Sequence, residues 1–513
     1  MSVRNQRIRF INVLSTRDKI IKHAKEADAG WGKAYDFYSK VIEKYQLKTI
    51  VELGVAFGGH AESILKNTSI HKLYGIDPYE HMPDYEDPMN LPQEEFEELY
   101  NFTLKRLSSF GDRYVHIRKF SKDAVDIIPA TIDSIYIDAD HSYAGVWNDL
   151  CTWFPKVRVG GIIAGHDYGH PNFPGVKQAI NEFFQRFDWE IHDEGEGVWW
   201  VEKKSISVSF IIPAYNCSST ISETVASIIE GNFETGDEII VVNDGSSDDT
   251  NAVLNNLKKT YSIITVLNHT HNKGGGAARN TATEHATNPI LFCLDSDNIL
   301  KSSSIPQLKA FMLNNGSDIA AFQQLHYFSE NKNEITHKWI FREGQTTLAD
   351  YLSGAIVPGA SGNYMFTKNS WKSSKGYPEF AGALDAWGFG LRQVATGHKM
   401  MVMPSSHYYH RCGHESYWVR ESKKGITSLT ALQILIPFLD QIAEDDIDYI
   451  MSRKGRHSWF DALDRRPICI RPHIIGKAGI AIDNFGNPIK NVTSYHKISF
   501  IKTIINYFIK VTT

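Results

Sequence analysis

The stretch VELGVAFGGHAE, residues 51–62, runs an apolar segment through Glu52 into Gly54, Gly58 and Gly59 and then into a helical pattern. A strand that turns on glycines into a helix lets a ligand approach the backbone closely at the helix N-terminus. The glycines do not follow the GxGxxG spacing over which a dinucleotide's pyrophosphate usually sits. The looser spacing, with an acid just ahead of it, suits a ligand that carries a cationic amino-acid group. At the end of the next apolar run, LYGIDPYE, Asp77 stands where a carboxylate can accept both ribose hydroxyls of a nucleoside.

Outward from this turn, YQLKTIVELG, HKLYGIDP, RYVHIRKF, DSIYIDAD and GGIIAGHDY read as short buried strands between polar helical stretches. That alternation predicts a parallel, doubly wound sheet with its sites at the carboxyl ends of the strands. DWEIHDEGEGVWWVEKKS reads as a closing antiparallel hairpin that turns at Gly195 and Gly197. A second series opens at VSFIIPAYN, residues 208–216, and runs through DEIIVVNDG, SIITVLNH and PILFCLDSDN to about Asn298. The stretch from there to about Glu421 reads as irregular and aromatic-rich, and the pattern from Gly425 onward as helical. The chain is therefore expected to be an α/β protein of two tandem domains, residues 1–204 and 205–424, with a helical extension over 425–513.

Composition agrees with two large cores. The 513 residues are 42% hydrophobic and 22% charged, which excludes a mainly disordered chain. Lys plus Arg number 54 against 59 Asp plus Glu, a net charge of −5. That balance argues against a nucleic-acid partner, so any phosphate must be met locally. Five isolated cysteines without CxxC spacing read as reduced thiols in a cytoplasmic protein. The N-terminal MSVRNQRIRFINVLSTRDK is too often broken by charge for a signal peptide, and no apolar run reaches the roughly 18 residues of a spanning helix. From Ser494 to Thr513, Ile498, Phe500, Ile501 and Ile504 interleave with Lys497, Lys502 and Lys510. This segment reads as a helix docked on the protein's own core, or as a basic amphipathic helix at the inner face of a membrane.

Further along the first series, Asp138, Asp140 and His141 follow one strand, and His166 and Asp167 follow the next. Adjacent parallel strands bring these groups to one mouth. Hard divalent cations such as Mg²⁺ take carboxylate oxygens and retained water, so Asp138 and Asp167 are candidate ligands. His141 is a candidate to take the proton of a substrate hydroxyl.

VELGVAFGGHAE, GIDPYE and IDADHSYAGVWNDL followed by GGIIAGHDY together resemble class I S-adenosylmethionine-dependent methyltransferases. The branch most similar is that of the metal-dependent O-methyltransferases acting on sugars and natural products, over about Tyr45 to Glu202. The resemblance implies S-adenosylmethionine held by Glu52, Gly54, Gly58 and Asp77, with Ser121 and Asp123 of RKFSKDA near its adenine. It also implies Mg²⁺ on Asp138 and Asp167, with Asp140 and His166 as alternative ligands.

In the second series, Pro213, Ala214, Tyr215 and Asn216 precede a helix expected to be capped by Ser218 or Ser219, a turn against which a flat base can lie. Asp244 of VVNDGSSDDT can pair with the imide face of a uracil or with a ribose hydroxyl, while Ser246 or Ser247 caps the next helix. HNKGGGAARNTA sets Gly274, Gly275 and Gly276 before a helix carrying Arg279, a combination suited to nucleotide phosphates. FCLDSDNIL then places Asp295 and Asp297 on either side of Ser296 at a strand end. Both acids can reach one Mg²⁺ or Mn²⁺ that bridges a diphosphate leaving group.

PAYN, NDGSSDDT, GGGAARN and DSD in this order resemble family 2 glycosyltransferases of the GT-A fold, over about Val208 to Glu421. The resemblance implies a nucleotide-sugar donor, UDP-linked or of another nucleoside diphosphate, gripped by Pro213, Tyr215, Asp244, Gly275, Arg279, Asp295 and Ser296. It puts the catalytic base on Asp385 of GALDAWGFGLR, with Leu384 in place of the usual preceding acid. A histidine completing the metal shell of Asp295 and Asp297 comes from His407, His410 or His414, with His410 favoured. A zinc site on Cys412 and two of these histidines lacks a fourth ligand. The expectation is a two-headed enzyme of surface polysaccharide or glycoconjugate synthesis: one half methylates a sugar hydroxyl, and the other adds a sugar, with inversion, to a glycan or lipid-linked glycan. The alternatives are that one half only binds glycan or partners, or that the methyl acceptor is a small non-sugar metabolite.

Overall fold

A computed structural model describes the chain at residues 15–83, 85–352, 357–412, 417 and 427–437. Residues 1–14, most of the C-terminal extension with its amphipathic segment, His414 and Cys469 lie outside these residues. Two compact units divide the chain, Met1–Ser205 and Ile206–Thr513.

The first unit opens with a long helix, α1 (Thr16–Tyr45), whose N-cap Ser15 accepts from the Asp18 amide. Strands β1 (Thr49–Leu53), β2 (Lys72–Ile76), β3 (Tyr114–Ile117), β4 (Ile132–Ile137) and β5 (Val157–Gly165) are the five runs expected from the sequence. Helices α2 (Gly59–Asn67), α3 (Gln93–Leu107), the short α4 (Ser121–Ala124) and α5 (Tyr143–Trp153) alternate with them, and α6 (Pro174–Gln185) follows. The hairpin β6 (His192–Gly195) and β7 (Val198–Glu202) closes the sheet, with Gly195 and Gly197 in the left-handed region. Sheet order is β3-β2-β1-β4-β5-β7-β6, parallel through β5 and antiparallel from there. Helices cover both faces of the parallel part, so Ile50, Val51 and Leu53 on β1 are all buried.

The second unit starts with β8 (Val208–Ala214), α7 (Ile221–Ile229), β9 (Glu238–Asn243), α8 (Thr250–Thr260), β10 (Ile264–Asn268), α9 (Gly275–His285) and β11 (Ile290–Cys293). After α10 (Ser304–Asn314), the stretch expected to be irregular instead supplies five strands. These are β12 (Ile319–Phe328), β13 (His337–Ile340), β14 (Gly344–Thr346), β15 (Met365–Thr367) and β16 (Met400–Arg411). Helices α11 (Leu348–Leu352), α12 (Lys368–Ser373) and α13 (Asp385–Ala395) lie between them, and α14 (Thr427–Leu435) follows. The order β10-β9-β8-β11-β15-β12-β16-β14, with β13 beside β12, is a mixed sheet of nine strands. Ala431, Ile434 and Leu435 of α14 join the core that α13 buries through Trp387, Phe389 and Leu391.

The serines expected as helix caps do other work. Helix α7 is preceded by Thr220 and α8 by Asp249, and neither makes a side-chain cap. Ser218 bonds Asp248, the Ser246 hydroxyl accepts from the Asn216 amide, and Ser247 donates to Asn216 Oδ1. These side chains lace the two turns after β8 and β9 together. No helix among the described residues is long and apolar enough to cross a membrane.

Candidate active sites

In the first unit one cavity of about 640 Å³ opens over the carboxyl ends of β1, β2, β4 and β5. That volume lies in the range of small-molecule sites. Glu52, Gly54, Asp77, Ser121, Asp138, His141 and Asp167 all line it. Glu52 is only 2% exposed, and its Oε1 meets His60 Nδ1 at 2.8 Å. Its Oε2 and His60 Nε2 are buried with no partner. Burial pushes the Glu52 carboxyl up, against the pull of His60. A buried acid oxygen without a donor, beside a glycine turn, fits a ligand that brings positive charge.

Gly54 has φ of 81°, and a Cβ there would overlap the Asp138 carbonyl. It therefore lets the glycine turn and the end of β4 meet. Gly58 also has positive φ, but it packs toward Thr103 and Leu107 of α3, and Gly59 lines the cavity in its place. The Asp77 carboxylate accepts from the amides of Val55, Ala56 and Tyr79, so it also pins the glycine turn.

Asp123 stands outside the cavity, in a neighbouring shallow hollow with Arg118 and Lys119. The acid beside Ser121 is Asp149 of α5, whose Oδ1 accepts from the Ser121 hydroxyl, itself held by Trp153 Nε1. Burial drives Asp149 up to about 7. It was missed in the sequence because it lies in mid-helix, 28 residues from Ser121. Face residues of α1, namely Ala27, Trp31 and Tyr35, also line the cavity and were not anticipated.

At the far side, Asp138, His141 and Asp167 bring donor atoms within 4.8 Å of one another, the one such group of three among the described residues. His141 Nε2 lies 3.3 Å from Asp138 Oδ1 and 3.1 Å from Asp167 Oδ2, while Nδ1 meets Asp87 Oδ2 at 2.9 Å. Burial opposes the charged imidazolium, but the three carboxylates outweigh it and hold the His141 pKa well above its usual value. His141 thus sits inside the donor group, whereas the sequence suggested a free proton acceptor beside it. Metal-bound histidines characteristically give their other N–H to a carboxylate, which is what Asp87 offers. Of the alternative ligands, Asp140 accepts from the Ser142 amide ahead of α5, and His166 Nε2 faces the Glu196 carbonyl. Neither belongs to the group.

In the second unit the turns after β8, β9 and β10 converge. Pro213 is the penultimate residue of β8, and Tyr215, just past the strand, is exposed. Asp244 is buried and engaged: His269 Nδ1 and the Lys273 amide meet Oδ1, and the Gly274 amide meets Oδ2. This acid therefore fastens the glycine loop. The Ser296 carbonyl accepts from Thr220.

Arg279 was expected to face phosphate. It is instead 8% exposed and joins two acids, Nη1 to Asp385 Oδ2 and Nη2 to Asp295 Oδ1, each at 2.6 Å. A Cβ on Gly275 would lie 2.7 Å from Nη1 and 2.9 Å from Asp385 Oδ2, so glycine is needed to admit this pair. Asp385 Oδ1 accepts from the Ala386 amide, which leaves both oxygens of the expected base engaged. Burial raises its carboxyl pKa, partly offset by Arg279. Asn363 holds Asp295 from two sides, at its amide and at Oδ2. Asp295, Asp297 and His410 form no three-donor group among the described residues, and Cys412 joins none either. His410 packs its ring 4.6 Å from that of Tyr327.

Comparison with known proteins fits this geometry. The family described as "Methyltransferase domain" matches residues 51–168, and "Glycosyl transferase family 2" matches residues 209–372. A poly(ribitol-phosphate) beta-glucosyltransferase of Bacillus spizizenii is 28% identical over 208 residues, 40% of this chain and 32% of that protein. The UDP-Glc:alpha-D-GlcNAc-diphosphoundecaprenol beta-1,3-glucosyltransferase WfgD of Escherichia coli is 32% identical over 133 residues, 26% of this chain and 50% of that protein. The chain spans about a third to a half of the length of the curated relatives it matches. The structure of S. aureus TarS 1–349 in complex with UDP-GlcNAc aligns at a TM-score of 0.40 and 19% identity, covering 48% of this chain and 70% of that one. The chain thus joins a methyltransferase domain, at residues 51–168, to a family 2 glycosyltransferase domain, at residues 209–372.

Proposed function

We propose that the first unit transfers a methyl group from S-adenosylmethionine to a sugar hydroxyl with the help of a divalent ion. The second transfers a sugar from a nucleoside-diphosphate sugar to a hydroxyl of a glycan or lipid-linked glycan, with inversion. Together they serve polysaccharide or glycoconjugate assembly. The observation that carries the reading is that one cavity holds both an unpartnered buried Glu52 oxygen and the Asp138–His141–Asp167 group.

When bound, S-adenosylmethionine supplies an electrophilic methyl group, and a divalent ion acidifies a hydroxyl that touches it. Glu52 meets the cofactor's positive charge, and Asp77 holds the turn while facing its ribose. Ser121 and Asp149 line the adenine end. Asp138, His141 and Asp167 seat the ion, and Asp87 fixes the His141 ring so that Nε2 points inward.

In the second unit Tyr215 and Asp244 border the nucleoside, and Asp297 carries a Mg²⁺ or Mn²⁺ with Asp295 steadied by Arg279 and Asn363. One or two carboxylates suffice for such an ion when substrate phosphates and water fill the remaining positions. Asp385 can take the acceptor proton on a remaining lone pair, since each of its oxygens accepts one bond here, from Arg279 and from the Ala386 amide.

Mass spectrometry of oligosaccharide and lipid-linked acceptors, incubated with labelled methyl donor and a panel of nucleotide sugars, tests both activities. Expected are one added methyl and one added hexose or N-acetylhexosamine. Methyl transfer to catechols and never to sugars ends the sugar-methylation reading.

The ion pair with Arg279, which opposes protonation of Asp385, favours a second reading, in which the second unit binds donor without turnover. Titration of UDP-sugars with and without Mn²⁺, followed by product analysis, separates the two: tight metal-dependent binding without product supports the silent module.

A further inference from the structure

We propose that His337 and Trp339, braced by the buried Tyr327, form an aromatic shelf that holds one pyranose ring of the acceptor saccharide, on the side of the acid pair opposite the nucleotide. The proposal deepens the glycosyl-transfer reading and rests on it.

Strands β12 and β16 run parallel with Leu325 beside Tyr408 and Tyr327 beside His410. On the other side of β12, β13 runs antiparallel, setting Trp339 opposite Leu325 and His337 opposite Tyr327. Side chains alternate along strands, so these six residues share one face of the sheet. The face is tied to the acid pair through Tyr408. Its hydroxyl lies 3.2 Å from Asn363 Nδ2, and the same amide meets Asp295 Oδ2 at 3.1 Å.

Leu325 and Tyr408 are buried, but burial gives way along the face: Trp339 is 36% exposed and His337 is exposed. Tyr327 is stacked on His337, ring centres 4.1 Å apart at 12°, and lies 5.5 Å from Trp339. The rings therefore brace one another. Strand β13 carries its charge, Lys338, on the opposite face, and on this one presents a tryptophan and a histidine beside a buried tyrosine. A pyranose offers one face of C–H groups rimmed by hydroxyls, which suits aromatic planes with polar edges.

Topology says which substrate belongs here. The nucleoside turns follow β8, β9 and β10 on one side of β11, while the shelf stands on β12 and β13 on the other. Asp295 and Asp297, just after β11, lie between them in the sheet order.

The test uses the full chain and its Trp339→Ala, His337→Ala and Trp339→Phe variants. Saturation-transfer NMR reads binding of N,N′-diacetylchitobiose and methyl β-D-glucopyranoside, and calorimetry reads binding of UDP-glucose and UDP-GlcNAc. Expected is saccharide binding by the unaltered chain, weakened at least about tenfold by Trp339→Ala, on the scale of one well-placed aromatic contact. Trp339→Phe should restore most of it, and UDP-sugar affinity should not change. Saccharide saturation that Trp339→Ala leaves intact, or none with the unaltered chain, overturns the shelf. Failure of the unaltered chain to bind any UDP-sugar overturns the transferase reading instead, and the saccharide arm reports on the shelf independently. Because Trp339 lies on a surface strand, circular dichroism melts are expected to overlay.

Discussion

Arg279 carries the largest single-residue consequence in the second unit. It is buried with its guanidinium shared by Asp295 and Asp385. Removing one partner of a buried ionic group strands the others, which typically costs about 3–5 kcal/mol. Arg279→Ala is therefore expected to lower stability by about that amount in denaturant unfolding of the full chain, and to weaken sugar transfer. Arg279→Lys keeps the charge but loses the fork that reaches two carboxylates, so it should recover only part of the loss. Asp149 gives a pH signature in the first unit. Burial raises its carboxyl from 3.8 to about 7, so the folded chain keeps a proton there that the unfolded chain has released. Its stabilising contribution is complete below 3.8 and is lost as pH rises through about 7. Asp149→Asn should flatten that slope, gaining roughly 1–4 kcal/mol over the unaltered chain at pH 8 relative to pH 4, read by urea melts. Neither behaviour was legible in the sequence. Spacing placed Glu52, Asp138 and Asp167 at strand ends, where topology alone decides their company. Which side chain Arg279 or Asp149 meets depends on folding partners 106 and 28 residues away.

At the level of elements, the close approach of β1 and β4 is set by Gly54. Any side chain there would strike the Asp138 carbonyl and is disfavoured again by the positive φ. Gly54→Ala is expected to displace the end of β4, with Asp138, and to cut methyl transfer by about a hundredfold or more, since even an ångström of misplacement can cost that much. Radiolabelled methyl transfer checks it, and a fold-preserving variant with unchanged transfer would contradict the coupling of turn and acid. The nine strands that flank the two glycine turns were readable because parallel strands covered on both faces are nearly continuous apolar runs. Helix α1 was not, since Gly30 and Gly32 interrupt its middle and weaken its helical signal. Strand β12, IAAFQQLHYF, contains residues equally at home in a helix, and β16 carries Pro404, a residue that normally argues against an inner strand. The pairing of β12 and β16 absorbs it by a register shift between Phe322 and Gln324. Tertiary pairing overrode local preference there, and the acceptor shelf belongs to this same stretch.

Across the whole molecule, each sheet closes within its own unit, and the two acid groups share no residue. Asp77 and Asp138 stand just beyond β2 and β4 of the first sheet, Asp295 and Asp297 just beyond β11 of the second. If each unit binds its own nucleoside compound, damage to one should leave the chemistry of the other intact. Joining them in one polypeptide then acts by raising the local concentration of one product near the second site, which changes coupled yield and not the intrinsic rate of either step. Asp297→Ala is expected to reduce sugar transfer by about a hundredfold to a thousandfold, the usual scale for a lost electrostatic contact to a developing charge, while methyl transfer stays at the unaltered level. Asp77→Ala should do the reverse, because it loosens the turn at Val55 and Ala56 as well as removing the acid proposed to face the ribose. Both are read in one mass-spectrometric assay with labelled methyl donor and nucleotide sugars. A folded variant in which either substitution silences both reactions would mean that the two units work as one site, and the division of labour drawn from their separate sheets would fail.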